Sequence, residues 1–415
     1  MAKLKYALAY GADAVYCGVP DFSLRVRINQ FSEKDFKEAI DYTHKLGKKI
    51  YVTLNIYAHN SHLEKVKKHL IFLAKLGKAG FLIDAVIVSD PGIINLVKKH
   101  LPQVEIHLST QANATNFEAV KFWRDAGVKR VILAREVSLA EIGEIRKKVK
   151  NVELEAFIHG AMCMSYSGRC ILSKWMTGRS GNLGDCAQPC RWGYRVTQSV
   201  ERETKELSVV DDQKRYQMDI EEDQHGTYFF NSYEMNMIVH VRDLIDTGIS
   251  SLKIEGRAKS AYYLAVVTRA YRKVIDAVEA RHAETRHTSS LREKIISEQK
   301  EELDKLTHRG YSTGFFFGSE PQHNFSNRNN ETEWKYVGEV ENIEGEFNIV
   351  RVHNEIFLSD ELEIITPDEN IPVKILRILD YNKKEVEEAH GGHANRYYFE
   401  FDKKLIERSL IRKKL

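Results

Sequence analysis

The sequence predicts an α/β protein: a TIM-like (β/α) barrel whose first strand is in question, followed by a small C-terminal β-barrel domain. Three observations carry this. Up to about residue 260, short β-branched runs alternate with longer amphipathic stretches, the pattern of parallel β/α units. Polar residues recur at the carboxyl ends of those runs, where a barrel places its functional mouth. From Trp334 onward the pattern changes to short strands separated by turns, which a small closed or nearly closed β-barrel accommodates.

The elements follow in order. Residues 3–10 read as a helix ahead of the first strand, AVYCG, although a barrel ordinarily opens on a strand. A helix through Phe36 and Leu46 leads to KIYVTLNI, and a helix through Leu63 and Leu76 leads to AVIVSD. EIHLST, RVILARE, ELEAFIH and SLKIEGR continue the alternation. No glycine-rich dinucleotide loop follows the first strand, which disfavours a doubly wound open sheet. After Gly193 the runs suggest hairpins inserted before the last β/α unit. A long helix from about 258 to 281 and a charged helix over 290–307 come next. The expected domains are residues 1–310 for the barrel, with a cysteine-bearing insertion at about 160–235, a turn-rich linker over 311–333, and the small β-barrel over 334–415.

Composition narrows the function classes. Hydrophobic residues make up 43% and charged residues 29% of 415 residues, a globular balance, and 62 Lys and Arg against 59 acids leave a net charge of only +3. That excludes a generally basic nucleic-acid coat while leaving room for a local phosphate-binding face. No apolar run reaches the 18 residues of a membrane span. The opening residues lack signal-peptide grammar, so a reducing cytoplasm and no membrane partner are expected.

Cys163, Cys170, Cys186 and Cys190 fall within 28 residues of the chain, while Cys17 stands alone in an apolar strand and reads as packing. The spacing is C-x6-C, then C-x3-C after 15 residues. Four soft thiolates can hold zinc or an iron–sulfur cluster. The first interval is too wide for a usual zinc knuckle, and Gly168 allows the turn that a four-iron cube needs. A [4Fe-4S] cluster is the expectation, with zinc or reduced structural cysteines as the alternatives. Arg169, Arg179 and Arg191 would offset its negative charge. Such a cluster brings iron–sulfur assembly proteins in as partners.

The mouth residues supply the remaining candidates. Glu155, Phe157 and His159 alternate along one strand and so should share a face. Glu155, His159, Glu255 and Arg257 are the expected catalytic groups. Asn55, Gln111 and Arg135 are the expected substrate contacts. Arg25 and Arg27, alternating in FSLRVR, would clamp an anionic small molecule or phosphate. Ser173 with His159 and Glu155 has the residue types of a hydrolytic triad but no nucleophile elbow, and there is no H-E-x-x-H zinc protease motif.

Glu155, Phe157, Gly160, Ala161, Met162, Cys163, Gly168, Cys170, Leu172 and Ser173, standing as EAFIHGAMCMSYSGRCILS, resemble the signature of peptidase family U-32. GADAVYCG, VTLNI, HLSTQ, RVILARE, GDCAQPCRW, NSYEMNMIVHV, SLKIEGRAKSAYYLAVVTRAYR and RGYSTGFFFG extend the resemblance over essentially the whole chain, and it is closest to the branch acting in tRNA hydroxylation. The resemblance implies formation of 5-hydroxyuridine at the tRNA wobble position, with prephenate as a requirement, and a [4Fe-4S] cluster on Cys163, Cys170, Cys186 and Cys190. Collagenase-like peptidase activity is the alternative carried by the family label. An iron–sulfur interaction or assembly protein without turnover is the third reading. Family members usually open on a strand of the type L-L-A-P-A-G, whereas this chain opens on the following helix.

Overall fold

Polar caps and buried apolar runs alternate along the first 160 residues, and they build the first half of the sheet. The order is α1 (Ala2–Ala9), β1 (Ala14–Gly18), α2 (Glu33–Lys45), β2 (Lys49–Leu54), α3 (Asn60–Lys78), β3 (Ala85–Val88), α4 (Pro91–His100), β4 (Glu105–Leu108), α5 (Phe117–Asp125), β5 (Arg130–Ile132), α6 (Leu139–Lys148) and β6 (Glu153–Ala161). The structure, a computed structural model, describes residues 1–18, 32–163, 165–170, 172–182, 185–192, 194–198, 207–211, 217–219, 233–256, 259–280, 286–318, 330, 332–392 and 396–415. Ser32 and Ser138 open α2 and α6 with reciprocal caps, each hydroxyl accepting a backbone N–H while Asp35 or Glu141 accepts from the cap's own N–H. Asp90 caps α4 ahead of Pro91, which has no N–H to leave unpaired. All four residues of β3 are at most 2% exposed, as expected for a strand covered on both faces.

Strands β1 to β6 pair in parallel and in sequence order. Beyond them come α7 (Leu172–Thr177), a separate antiparallel sheet of β7 (Tyr194–Gln198), β8 (Leu207–Asp211) and β9 (Gln217–Asp219), then β10 (Glu234–Asn236), α8 (Val241–Asp246), β11 (Ser251–Glu255), α9 (Ala261–Glu279), α10 (Arg286–Asp304) and β12 (Tyr311–Ser312). Strand β11 runs parallel to β6 along one edge. Strand β5 pairs with the other edge only through Glu153, Leu154 and Glu155, and β10 takes that edge up, antiparallel, at His159, Gly160 and Ala161. Strand β12, at the start of the segment expected as a linker, pairs with β10.

The chain is therefore α/β as expected, but the described strands do not close a barrel ladder. Among them β1 pairs only with β2 and β11 only with β6. The two ends of the sheet meet through side chains instead. The Tyr16 hydroxyl lies 3.3 Å from both Ile254 O and Glu255 Oε2, and Lys253 Nζ sits 4.4 Å from the Tyr16 ring centre. A gap spanned by a whole tyrosine side chain exceeds the ~4.8 Å spacing of a ladder. A cavity of about 1120 Å³ opens there, lined by β1, β11, α1 and α9. Cys17 is buried in β1, as the sequence suggested.

The C-terminal part is antiparallel: β13 (Trp334–Glu344), β14 (Phe347–Val352), β15 (Ile356–Phe357), β16 (Leu362–Ile365), β17 (Asn370–Val373), β18 (Ile375–Leu379), β19 (Glu388–Ala389), β20 (Tyr397–Phe401) and β21 (Leu410–Lys414). Seven of these form one sheet in the order β17-β16-β21-β13-β14-β20-β18. Its two outer strands, β17 and β18, are separated in the chain by Lys374 alone, so the sheet curls back on itself. Its own core holds Val337, Val340, Val350, Ile364, Ile378 and Phe399, all fully buried.

A buried polar seam joins the two parts. Arg412, wholly buried, pairs with Glu302 of α10 and with Glu363. Arg269 of α9 donates to Thr366 O at 2.7 Å and to Asn370 Oδ1 at 2.7 Å. The Tyr10 hydroxyl at the end of α1 lies 2.7 Å from Ile365 O.

Candidate functional site

The inner face of the curled sheet has two layers. In the lower one, Glu155 of β6 accepts from Lys253 Nζ at 2.7 Å, from Ser251 Oγ at 2.8 Å and from Arg130 Nη1 at 3.1 Å. Arg130 also donates to Glu153 through Nε at 2.7 Å, and His107 packs edge-on against Tyr51 at 4.8 Å. Burial by itself would raise the Glu155 carboxyl, but Lys253, Arg130 and the hydrogen bonds outweigh it and hold the pKa down to about 2. Burial, helped by the charge of Arg130, pushes His107 down to about 3. Every charge in this layer has a partner, so Glu155 is a structural counter-ion rather than an available acid.

His159 does not join Glu155 on the inner face. The pairing of β6 with β11 runs Glu155–Ser251 and Phe157–Lys253 and then jumps to His159–Ile254 and Gly160–Glu255. Ile158 is the extra residue of a β-bulge, and one extra residue reverses the side-chain alternation beyond it. His159 thus turns to the outer side, where its ring lies 5.8, 5.5 and 5.6 Å from those of Tyr263, Tyr271 and Tyr311. The Tyr271 hydroxyl donates to Ile158 O at 2.8 Å and stands 3.4 Å from His159 Nδ1. Only 1% of the histidine is exposed, and burial lowers its pKa to about 3. Nearby, Glu234 accepts from Lys259 at 2.8 Å and from the Tyr263 hydroxyl at 3.2 Å. The expectation of a catalytic His159 facing the mouth beside Glu155 is corrected accordingly. No hydrogen bond links Ser173 to His159 either: the Ser173 hydroxyl donates to Arg179 O and accepts from Ala187 N–H.

The upper layer lies beneath the cysteine-bearing loop. Ser167, held at φ +48°, donates its N–H to Glu136 Oε1 at 2.6 Å, and its hydroxyl lies 2.7 Å from Asn113 Oδ1 and 2.9 Å from Glu136 Oε2. Arg169 donates to Gln111 O at 2.9 Å and to the Tyr57 hydroxyl at 2.6 Å, and that hydroxyl donates to Gln111 O at 2.7 Å. Asn182 completes the attachment by accepting from Tyr57 N–H at 3.1 Å and donating back to Tyr57 O at 3.2 Å. The loop is thereby pinned beyond the carboxyl ends of β2, β4 and β5, as a roof over the inner face. Just beyond the end of β5, the Arg135 guanidinium stacks on the Phe157 ring at 4.0 Å and has no ionic or hydrogen-bond partner among the described residues. Gln111 Oε1 and Asn55 Oδ1 are buried without a hydrogen-bond partner.

The cysteines follow directly. Cys163, Cys170 and Cys186 are exposed and Cys190 partly so. Leu172 N–H donates to Cys170 Sγ at 3.4 Å and Gln188 N–H to Cys186 Sγ at 3.3 Å. The same contact two residues on from each cysteine directs a backbone N–H at the sulfur. Gly181 lies between the two: a Cβ there would stand 3.8 Å from Cys170 O and 3.9 Å from Cys186 Sγ. Among the described residues, however, no group of three or more Cys, His, Asp or Glu converges to hold a metal ion. Arg179 is paired with Asp185 at 3.0 Å rather than left for a cluster.

Of the site residues expected from sequence, the structure sets Asn55, Gln111 and Arg135 just beyond the carboxyl ends of β2, β4 and β5. It places Glu255 beside Tyr16 at the open seam. Arg25, Arg27 and Arg257 lie outside the described residues, as does the Arg191 side chain. Sequence reasoning missed Tyr57, Asn113, Ser167 and Asn182, whose contacts hold the roof. Only Ser167 carried a signal, standing before a glycine inside the cysteine motif.

Among the described residues no helix is long and apolar enough to cross a membrane. The pattern of Peptidase family U32 matches residues 1–326, and that of the Peptidase family U32 C-terminal domain matches residues 332–412. The chain is 39% identical to tRNA hydroxylation protein P of Haemophilus influenzae over 95% of this chain and 90% of that protein. It is 40% identical to tRNA hydroxylation protein P of Escherichia coli over 89% and 85%. It is 38% identical to tRNA hydroxylation protein P1 of Bacillus subtilis over 100% and 92%. With both parts of the chain matched, and relatives similar to it from end to end, the protein belongs to peptidase family U32.

Proposed function

We propose that the protein acts in tRNA modification, supporting prephenate-dependent hydroxylation of wobble uridine to 5-hydroxyuridine. The observation that carries this reading is the end-to-end similarity to proteins named for tRNA hydroxylation, both the sheet-bearing part and the C-terminal part included. Beyond the strand ends, Arg135 and the amide oxygens of Gln111 and Asn55, without polar partners among the described residues, supply groups that bind acids and bases. The peptidase alternative finds less support. Its candidate serine and histidine are engaged elsewhere, and Glu155 is locked by Lys253 and Arg130.

A [4Fe-4S] cluster on Cys163, Cys170, Cys186 and Cys190 is part of the proposal. The donor chemistry fits: accessible thiols, with N–H groups already directed at Cys170 and Cys186. When bound, such a group supplies one-electron redox chemistry. The protein's own part is to attach that loop to the mouth through Arg169, Ser167 and Asn182. Nucleoside mass spectrometry of tRNA from a deletion strain tests the reading. Loss of 5-hydroxyuridine-derived wobble nucleosides, restored by the wild-type gene, is expected; an unchanged profile in a strain lacking redundant pathways rejects it. Iron and acid-labile sulfide analysis of anaerobically purified protein tests the cluster separately, stoichiometric zinc without sulfide being the contrary result.

A further inference from the structure

We propose that the C-terminal part carries a docking cleft for an extended, basic segment of a protein partner, whose Lys or Arg side chains lie on Tyr381 and Phe357 and pair with Glu387 and Asp380. The cleft is independent of the tRNA reading and lies outside the mouth.

It has a volume of about 1090 Å³ and opens between the β15–β19 ribbon and the turn that follows β18. That is the top of the range of small-molecule pockets, about 300–1,000 Å³. Its walls combine three rings, Phe357, Tyr381 and Tyr397, with three acids, Asp380, Glu387 and Glu388, and no Lys or Arg lines it. Rings and carboxylates side by side are the surface that recognises ammonium and guanidinium groups. The chain already uses this mode at the cleft wall. Lys413 Nζ sits 5.2 Å from the centre of the Phe357 ring and 2.8 Å from Asp360 Oδ2.

The groups lining the cleft keep binding capacity. Glu388 is matched by His390 at 3.1 Å, but the Glu387 carboxylate has no partner among the described residues. Asp380 Oδ1 accepts the N–H groups of Asn382 and Lys384 at 2.8 and 2.9 Å, which fixes the carboxylate in place. Tyr381 is 58% exposed. Lys383, in the same turn, lies over the Tyr398 ring at 4.9 Å and lines no part of the cleft.

These features select the occupant. RNA phosphates would meet three acids, so charge opposes a nucleic acid here. A single divalent ion does not fit, since among the described residues no three Cys, His, Asp or Glu converge; carboxylates spread along one cleft suit several cations in a row. Leu358 and Val386 add apolar wall, which a free polyamine leaves unmatched and a peptide bearing both basic and apolar residues covers.

Fluorescence anisotropy of the purified full chain with a labelled peptide alternating Lys or Arg with Leu tests this, with thermal melting to verify folding of each variant. The peptide should bind, and more weakly as salt rises. A counterpart with Glu at the basic positions should not bind. Tyr381→Ala should weaken binding by about 3- to 30-fold, the range of one cation–π contact, and Glu387→Gln by about 2- to 5-fold, the range of an exposed ion pair. Glu361→Gln, an exposed acid outside the cleft, should leave binding unchanged. Absence of binding to the wild-type chain overturns the proposal, as does unchanged affinity in the folded Tyr381→Ala, Glu387→Gln double variant. Spermidine displacing the peptide at equal concentration would mark a polyamine site instead. Weaker retention of tRNA by Tyr381→Ala would mark an RNA-stacking surface, and either result rejects a protein partner.

Discussion

The two layers of the inner face use the same kinds of residue to opposite ends. Below, Arg130, Lys253, Glu153, Glu155 and Ser251 form a closed set in which each charge meets its counter-charge within 3.1 Å. Above, among the described residues, Arg135 has only an aromatic face and the amide oxygens of Gln111 and Asn55 have no hydrogen-bond donor. The lower set is expensive to break because removing one member leaves buried charges uncompensated. The upper set is already uncompensated, so substitution there costs the fold little. In the lower layer the charged groups neutralise one another, whereas Arg135 and the two amide oxygens beyond the strand ends have no polar partner among the described residues.

The strongest way to break that comparison is Glu155→Ala. It strands Lys253 and Arg130 in the sheet interior and should destabilise the fold by about 3–5 kcal/mol in chemical denaturation. If the loss is below about 1 kcal/mol, the lower layer is not the closed network its distances describe. Acid should act on the same layer. His107 and His159 titrate near 3 in the folded chain against 6.5 for an ordinary histidine. The unfolded chain therefore binds more protons between those values, and stability should fall as pH drops from about 6.5. Glu155, at about 2 against an ordinary 4.5, adds a further loss below about pH 4.5. His159→Phe, which keeps a ring among the three tyrosines, should flatten the first part of that slope when melting temperature is followed against pH.

A smaller effect is expected at the roof. Arg169→Met removes the bonds to Gln111 O and Tyr57 and should cost about 1–2 kcal/mol, read as faster amide exchange over residues 165–182 with the sheet unaffected. The smallest belongs to the upper layer: Arg135→Gln, which gives up only the stacking on Phe157, should cost no more than about 1 kcal/mol, and Gln111→Leu no more than about 0.5 kcal/mol. A loss of several kcal/mol at either position would erase the distinction between the layers.

The α/β alternation was legible because it rests on local signals. Short β-branched runs alternating with amphipathic stretches located strands and helices without any tertiary information. The switch to short strands after Trp334 was legible for the same reason. The mouth was half legible. Asn55, Gln111 and Arg135 stand just beyond strand ends on one side of the sheet, since strands of one parallel sheet end on the same side. Tyr57 and Asn182 were not legible, because their partnership joins positions 125 residues apart and neither lies in a repeating pattern.

His159 shows where reading by period stops. Alternation along ELEAFIH assigns it to the face of Glu155, and nothing in the seven letters announces a bulge at Ile158. The bulge arises where β6 changes neighbours, with β5 ending at Glu155 and β10 beginning at His159 on the same edge. The sequence by itself determined the order of β/α units, the cysteine spacing and the polar strand ends, because each depends on residues close in the chain. Tertiary structure alone decided which of those polar groups are neutralised, which face His159 takes, and that Tyr16 rather than a ladder joins β1 to β11. Those outcomes depend on which distant side chain comes within about 3 Å of which charge, and on whether one strand pairs with another, and no local pattern encodes either.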